Sequence, residues 1–106
     1  MAEIKAKLWI ENDSRFILGA GRAELLRHVK ETGSIVKAAK VMDMSYSHAW
    51  SEIRDISDAL GLPVIETERG GSAGGSSKLT KAGEDILNQF ENEKEILDRH
   101  LAKRNG

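Results

Sequence analysis

The feature that most constrains the fold is a series of short amphipathic segments separated by very short turns. Between residues 20 and 32 the apolar residues recur at spacings of three and four, which predicts one helix with a single apolar face. Gly33 then provides a helix stop and Ser34 the next N-cap, so a second helix follows at once, over residues 35–42. A third helix is predicted from its cap Ser45 to Leu60, because Gly61 and Pro63 end the pattern.

These three helices are predicted to share one small core. Small residues are needed where two helices cross at a steep angle, and Ala38 and Ala39 lie at the predicted crossing. The residues expected to face inward are Ala23, Leu25, Leu26 and Val29 in the first helix, Ile35, Ala38, Ala39 and Met42 in the second, and Ala49, Ile53, Ile56 and Leu60 in the third.

Short strands are predicted on both sides of the helices. Residues 5–11 and 16–18 form a hairpin around a turn at residues 12–14. Residues 64–68 and 78–79 form a second hairpin, whose glycine- and serine-rich tip covers residues 70–77. Thr80 caps a final helix that extends to Lys103, roughly 36 Å long at the usual rise per residue and longer than a domain of this size needs.

The fold class that follows is mainly α with a small β content, a winged helix-turn-helix with N-terminal strands and a long C-terminal dimerisation helix. With 106 residues, 40% of them apolar and 31% charged, the chain fits one globular domain over residues 1–106. The helix-turn-helix covers residues 20–60, the wing residues 64–79 and the dimerisation helix residues 80–103. The predicted seam of a homodimer consists of Leu87, Phe90, Leu97 and Leu101.

Several classes of function are not expected. The chain has no cysteine, and its three histidines lack ligand spacing, so no thiolate chemistry and no metal site are predicted. No nucleophile or base accompanies the carboxylates, so we expect no enzyme and no cofactor. Without an apolar run long enough to span a membrane, and without a signal peptide, we expect a cytoplasmic protein with no membrane partner. A three-helix core leaves little volume for a pocket, so no small-molecule ligand is expected.

The third helix carries the predicted function on its exposed face. Ser47, Ser51 and Arg54 point away from the core, and small polar residues allow a helix to enter the major groove of DNA. Cations and glycines beside that helix suit the sugar-phosphate backbone. The predicted contacts to double-stranded DNA are Ser34 and Lys37 in the second helix, Ser45, Tyr46, Ser47, His48, Ser51 and Arg54 in the third, and Arg69, Gly70, Gly71 and Lys78 in the wing.

The charge balance leaves an alternative open. The net charge is −1, and residues 34–58 carry four anions, Asp43, Glu52, Asp55 and Asp58, against three cations, Lys37, Lys40 and Arg54. A protein-interaction module that uses the same fold, with weak or no DNA binding, is therefore the second hypothesis. Several residues also have purely structural interpretations: Ser45 as an N-cap, Trp50 as a packing residue, and Arg54 as the ion-pair partner of Asp58.

The motifs resemble a known family of regulators. Thr32-Gly33-Ser34-Ile35, Ala38-Ala39 and Met44-Ser45-Tyr46-Ser47-His48-Ala49-Trp50 resemble the DNA-binding domain of molybdate-dependent transcriptional regulators, the ModE family. Leu79-Thr80-Lys81-Ala82-Gly83 is also similar to the LysR-type helix-turn-helix. The resemblance implies a winged helix-turn-helix regulator that binds operator DNA as a dimer through its N-terminal strands and last helix. Because the chain ends at Gly106, before the oxyanion-binding region of those regulators, we expect a stand-alone domain without oxyanion sensing.

Overall fold

The computed structural model describes residues 2–68 and 76–106. Along the chain the elements are β1 (Trp9–Asn12), β2 (Arg15–Gly19), α1 (Ala20–Thr32), α2 (Ile35–Val41), α3 (Tyr46–Leu60), β3 (Ile65–Glu68), β4 (Ser76–Leu79) and α4 (Lys81–Asn105). The strands form two separate antiparallel hairpins, β1–β2 and β3–β4. This order confirms the predicted fold class, a winged helix-turn-helix with N-terminal strands and a long last helix.

The N-terminal hairpin is closed by a two-residue turn and fastened to the end of α3. Asp13 and Ser14 have φ values of 49° and 66°, the left-handed conformation that a tight hairpin of this twist requires. The amide of Asn12 donates to the carbonyl of Ala59 at 3.1 Å, and the guanidinium of Arg15 donates to the carbonyl of Asp58 at 3.4 Å. The hairpin therefore supports the C-terminal end of α3.

The core lies where the faces of α1, α2 and α3 meet, and the predicted inward faces are almost all buried. The difference concerns the last turn of α3, where Ala59 is buried and Leu60 only partly so. Periodicity places Leu60 nearer the centre of the stripe than Ala59, so periodicity does not account for the difference. Ala59 lies beside the N-terminal hairpin, whose Asn12 donates to its carbonyl. Met42, predicted to point inward, is half-buried against the core.

The second hairpin is joined to the corner between α1 and α2. Gly33, which ends α1 with a φ of 69°, accepts a hydrogen bond at its carbonyl from the backbone N–H of Ser77 at 2.8 Å. Because Ser34 comes next and caps α2, the base of the wing and the start of α2 are held together. Strand β4 begins at Ser76, two residues before the predicted return strand.

Helix α4 has a buried first half and an exposed second half. Leu87 and Phe90, predicted to lie in a dimer seam, are 0% and 4% exposed within the core of the single chain. They have almost no surface left for a second copy, so their assignment to the seam is corrected. Leu97 and Leu101 are half-buried, and Ile96 is exposed. Over the described residues, no helix combines the length and the apolar character that a membrane span needs.

Candidate nucleic-acid interface

The turn between α2 and α3 fixes the start of α3 relative to α2. The backbone N–H of Met44 donates to the carbonyl of Ala39 at 2.9 Å, across a turn in which Asp43 has a φ of 54°. Ala38 and Ala39 are buried at the crossing, as their size predicted. Met42 and Met44 pack partly against the core beside them. The first turn of α3 is therefore presented by a closely packed corner.

The two serines expected at helix starts act as N-caps. The hydroxyl of Ser34 accepts from the backbone N–H of Lys37, and that of Ser45 from the backbone N–H of His48, both at 3.1 Å. Each cap satisfies one of the N–H groups that a helix start leaves without an internal partner. The structural interpretation of both serines therefore holds, and Lys37 in the first turn of α2 is exposed to solvent.

The outer face of α3 carries the residues predicted to face DNA. Ser47, Ser51 and Arg54 are exposed and border one shallow depression together with Tyr46 and Trp50. The ion pair with Asp58 that offered a structural role for Arg54 does not form, and no other carboxylate among residues 2–68 and 76–106 lies within ion-pair distance of Arg54. Its guanidinium is thus available to an acceptor outside the chain.

Tyr46 and Trp50 form a pair one turn apart on α3. Their rings meet edge to face, with centroids 6.4 Å apart and planes at 85°. The indole N–H of Trp50 donates to the hydroxyl oxygen of Tyr46. Trp50 also packs partly against the core, as its structural interpretation predicted, whereas Tyr46 is 49% exposed.

Arg22 of α1 neutralises the acidic side of α3, a role that the sequence did not reveal. Its Nε lies 2.6 Å from a carboxylate oxygen of Glu52, and its Nη2 lies 3.5 Å from a carboxylate oxygen of Asp55. The same guanidinium donates to the carbonyl of Ile17 at 2.8 Å and stacks over the ring of Phe16. No periodic signal connects residues 22 and 52, because only the packing of α1 on α3 brings them together.

His48 and Glu52 lie one turn apart and also interact. The Nε2 atom of His48 is 3.3 Å from a carboxylate oxygen of Glu52. Partial burial raises the pKa of Glu52, but the hydrogen bond and charge of Arg22, with smaller contributions from His48, outweigh it and bring this pKa below its ordinary value. Glu52 is therefore ionised and paired at neutral pH, and His48 is partly committed to it.

The wing supplies one predicted contact that can be located. Lys78 lies on β4, exposed, with its Nζ 3.9 Å from a carboxylate oxygen of Glu68 on β3. A loose pair at this distance on an exposed hairpin leaves the amine largely available to another anion. The predicted contacts Arg69, Gly70 and Gly71 lie outside the described residues.

A groove lies between the N-terminal hairpin and the helix-turn-helix. It has a volume of about 710 Å³ and is lined by Trp9, Phe16, Met42, Met44 and His48 among others. The expectation of little pocket volume considered only the three-helix core, and this open groove lies beside that core, against the N-terminal hairpin. Over residues 2–68 and 76–106, no three carboxylate or imidazole groups converge as metal ligands would.

The sequence matches a known protein family and several curated relatives. Residues 21–84 match the family described as bacterial regulatory helix-turn-helix proteins of the lysR family. MopB of Rhodobacter capsulatus, named a molybdenum-pterin-binding protein, is 40% identical over 70 residues, which are 66% of this chain and 26% of MopB. The transcriptional regulator ModE of Yersinia pestis is 31% identical over 84 residues, 79% of this chain and 32% of ModE.

Solved structures agree on the fold. The structure described as the CbnR_DBD-DNA complex matches with a TM-score of 0.61 at 22% identity, over 78% of this chain and 90% of the compared one. This chain spans about a quarter to a third of the length of the curated relatives above. The resemblance to ModE-type and LysR-type regulators, predicted from the motifs, is confirmed. Since the family match covers more than half of the sequence, including α2, α3, both wing strands and all but the first residue of α1, the chain belongs to the lysR family of bacterial regulatory helix-turn-helix proteins.

Proposed function

We propose that this chain binds double-stranded operator DNA as a homodimer and regulates transcription from the cytoplasm, where bacterial DNA lies. The observation that carries the proposal is the outer face of α3. There two small hydroxyl side chains and an arginine without an ion pair in the described structure stand exposed beside a corner that fixes their position. Relatives named as transcriptional regulators and a structural neighbour described as a DNA complex support it.

Each element has a role in the proposed complex. Ser47, Ser51 and Arg54 contact base edges in the major groove, since serine and arginine side chains pair with acceptors there. Lys37 in the first turn of α2 and Lys78 on the wing contact phosphates, which position the protein without selecting sequence. The hydrogen bond between Ser77 and Gly33 keeps the wing and the start of α2 in a fixed relation on the DNA backbone.

The acidic balance that favoured a protein-interaction module has a local explanation. Two of the four anions counted near α3, Glu52 and Asp55, are paired with Arg22 of α1. Arg22 sets one positive charge against these two negative charges, so the net field on the face of α3 is less negative than the count over residues 34–58 implies. The cations Lys37 and Arg54 then approach DNA with less opposition from these carboxylates.

The homodimer rests on the second half of α4. Beyond Phe90 the helix continues for fifteen residues to Asn105, roughly 22 Å at the usual rise. This part carries the exposed Ile96 and the half-buried Leu97 and Leu101. A second copy offering the same surface would cover them on both chains, as a two-fold interface requires.

A binding titration tests the proposal. Fluorescence anisotropy is measured with random duplex and with duplex selected from a random pool, each at two salt concentrations. We expect binding to both, an affinity that falls as salt rises, and a tighter complex with the selected duplex. Arg54→Ala should reduce the preference for the selected duplex. The matched control Lys5→Ala removes a cation from the exposed N-terminal segment, where Lys5 pairs with Glu3, and should change little.

The outcomes separate the two hypotheses. If the wild-type protein binds neither duplex at low salt, DNA binding is contradicted and the protein-interaction module is favoured. If Arg54→Ala weakens both complexes by the same factor, DNA binding stands but Arg54 contacts the backbone and not the bases.

A further inference from the structure

The Tyr46–Trp50 pair has a polarity that bears on DNA binding. Because the indole N–H can only donate, the oxygen of Tyr46 is the acceptor in their hydrogen bond. The hydroxyl of Tyr46 can accept and donate at the same time. The bond from Trp50 uses a lone pair of the oxygen and leaves the hydroxyl proton available. The exposed hydroxyl of Tyr46 is thereby set to donate to a group outside the chain.

The position of the pair on α3 indicates which kind of acceptor this hydroxyl would meet in a DNA complex. Tyr46 is the first residue of α3, one helical step to the side of the Ser47–Ser51 face that is proposed to contact bases. A side chain at this edge of a helix that enters the major groove lies toward the backbone of the duplex. Phosphate oxygens are acceptors only, and the N–H groups of a helix start favour an anion nearby.

We propose that Trp50 is a positioning residue, which holds the Tyr46 hydroxyl as a hydrogen-bond donor toward a DNA phosphate oxygen. The inference rests on the proposed DNA binding. It gives Trp50 a role besides packing. Trp50 is partly buried against the core, and its hydrogen bond to Tyr46 holds that exposed side chain in one orientation. Without the indole N–H, the Tyr46 side chain would be free to rotate in the unbound protein. DNA binding would then carry the entropy cost of ordering it.

The contact is tested first in the free protein. In a ¹H–¹⁵N spectrum the two tryptophans give two indole signals, and the indole of Trp9 donates to Glu11 of the N-terminal hairpin at 2.8 Å. Tyr46→Phe removes the acceptor, so the Trp50 indole signal should move while the Trp9 signal stays. If the Trp50 signal does not move, the hydrogen bond is absent and the proposal is overturned.

A double-mutant cycle then tests the role in binding. Trp50→Phe keeps an aromatic ring and removes only the donor, and Tyr46→Phe removes only the hydroxyl. On a duplex selected with the wild-type protein, each single variant should lose about two- to tenfold in affinity, the range of one hydrogen bond. The double variant should lose no more than Tyr46→Phe alone, since Trp50 acts through the hydroxyl. Trp9→Phe is the control, and its affinity should equal that of the wild type.

Two results of the double-mutant cycle overturn the inference. Losses that add in the double variant, or no loss in Trp50→Phe, show that Trp50 does not act through Tyr46.

A series of duplexes with single neutral methylphosphonates locates the acceptor: at one phosphate the wild type should lose affinity and Tyr46→Phe should not. If no phosphate behaves in this way, the hydroxyl does not contact the backbone. Absence of any binding by the wild-type protein would instead contradict the proposed function itself.

Discussion

Arg22 joins three parts of the molecule through one side chain. It pairs with Glu52 on α3, donates to the carbonyl of Ile17 on β2 and stacks over Phe16 in the N-terminal hairpin. Its side chain is only 17% exposed, so water weakens these contacts less than it would on an open surface. Helix α3 therefore keeps its orientation and its charge balance through a residue that has no place in the proposed DNA contact.

Replacing this arginine should affect stability and binding together. For Arg22→Met we expect a loss of about 2 kcal/mol in the free energy of unfolding, because Glu52 remains half-buried without its partner. Urea unfolding measures it. Arg22→Met combined with Glu52→Gln should lose less than the sum of the two single variants, since the uncompensated carboxylate is then gone. Fully additive losses would show that the pair contributes no coupling.

Glu52 should make stability depend on pH in a predictable direction. Its pKa in the folded protein is lowered, so the stabilisation is complete above the ordinary carboxyl pKa of about 4.3 and is lost as the pH falls through the lower folded value. Glu52→Gln should therefore be less stable than the wild type at pH 7, and the gap should close under acid. Urea unfolding across this range checks it. Asp58→Asn, which changes an exposed carboxylate on the same helix, is the control. A stability difference between the wild type and Glu52→Gln that widens under acid would contradict the assignment.

Individual side-chain contacts are the part of the site that the sequence predicts least well. Ser47, Ser51 and Arg54 follow from helical periodicity alone, since a helix with a known core face has a known outer face. Arg22 does not, because its partner Glu52 lies thirty residues away and no pattern marks an ion pair between helices. The bond between Trp50 and Tyr46 joins residues at a spacing that periodicity allows, but its donor and acceptor emerge only from the rotamers that packing selects.

At the scale of elements, a single glycine determines how α4 meets the wing. Thr80 caps α4, and its backbone N–H donates to the carbonyl of Val64 at 3.0 Å while its hydroxyl donates to the carbonyl of Pro63 at 2.7 Å. The helix start is thereby pulled onto the segment before β3. A β-carbon at Gly83 would lie 2.2 Å from the carbonyl oxygen of Val64, a distance that no side chain can occupy.

Gly83→Ala should consequently destabilise the protein. Relief requires the backbone of α4 or of residue 64 to move, and we expect a loss of about 2–3 kcal/mol in the free energy of unfolding. Gly21→Ala is the matched control, because Gly21 lies in α1 with nothing within 4 Å of the position of a β-carbon. There the same change should stabilise by about 0.5–1 kcal/mol, the helix preference of alanine over glycine. Equal effects at both sites would contradict the close approach of α4 to residue 64.

Elements with strong periodicity were predicted closely, and those without it were not. The range predicted for α1 is the observed one, because glycine bounds the helix at both ends and its apolar face is continuous. Strand β4 extends two residues further toward the tip than predicted, through Ser76 and Ser77. Serines carry little strand preference, and it is the backbone bond from Ser77 to Gly33, a tertiary contact, that supports this part of the strand.

For the whole molecule, the length of α4 was predictable but the partner of each half was not. The apolar residues of α4 recur at helical spacing over its whole length, and periodicity does not distinguish a stripe that covers the chain's own core from one that covers a second copy. In the structure, the half of α4 that covers the chain's own core ends near Phe90. Before it, α4 packs on α1 and is fastened by an ion pair of 2.7 Å between Lys30 and Glu84. After it, the helix leaves the core.

The second half of α4 should therefore control the oligomeric state without controlling the fold. Ile96 is 59% exposed on the protruding part of α4, so Ile96→Asp costs little in a single chain but places a charge in the proposed interface. We expect sedimentation equilibrium to give twice the chain mass of 11.7 kDa for the wild type and the single-chain mass for Ile96→Asp, with equal helix content by circular dichroism. Leu62→Asp makes the same change at an exposed aliphatic residue between α3 and β3 and should remain dimeric.

The same variant links the dimer to its DNA site. A two-fold symmetric protein requires two half-sites about one helical turn of DNA apart, roughly 34 Å, so the duplex selected by the wild type should be palindromic. Ile96→Asp should retain the weak binding of a single half-site and lose the added affinity of the second, because two separate chains no longer share one binding event. An Ile96→Asp protein that keeps the wild-type mass and full affinity for the palindrome would show that the chains meet through another surface, and the protruding half of α4 would then have no part in operator binding.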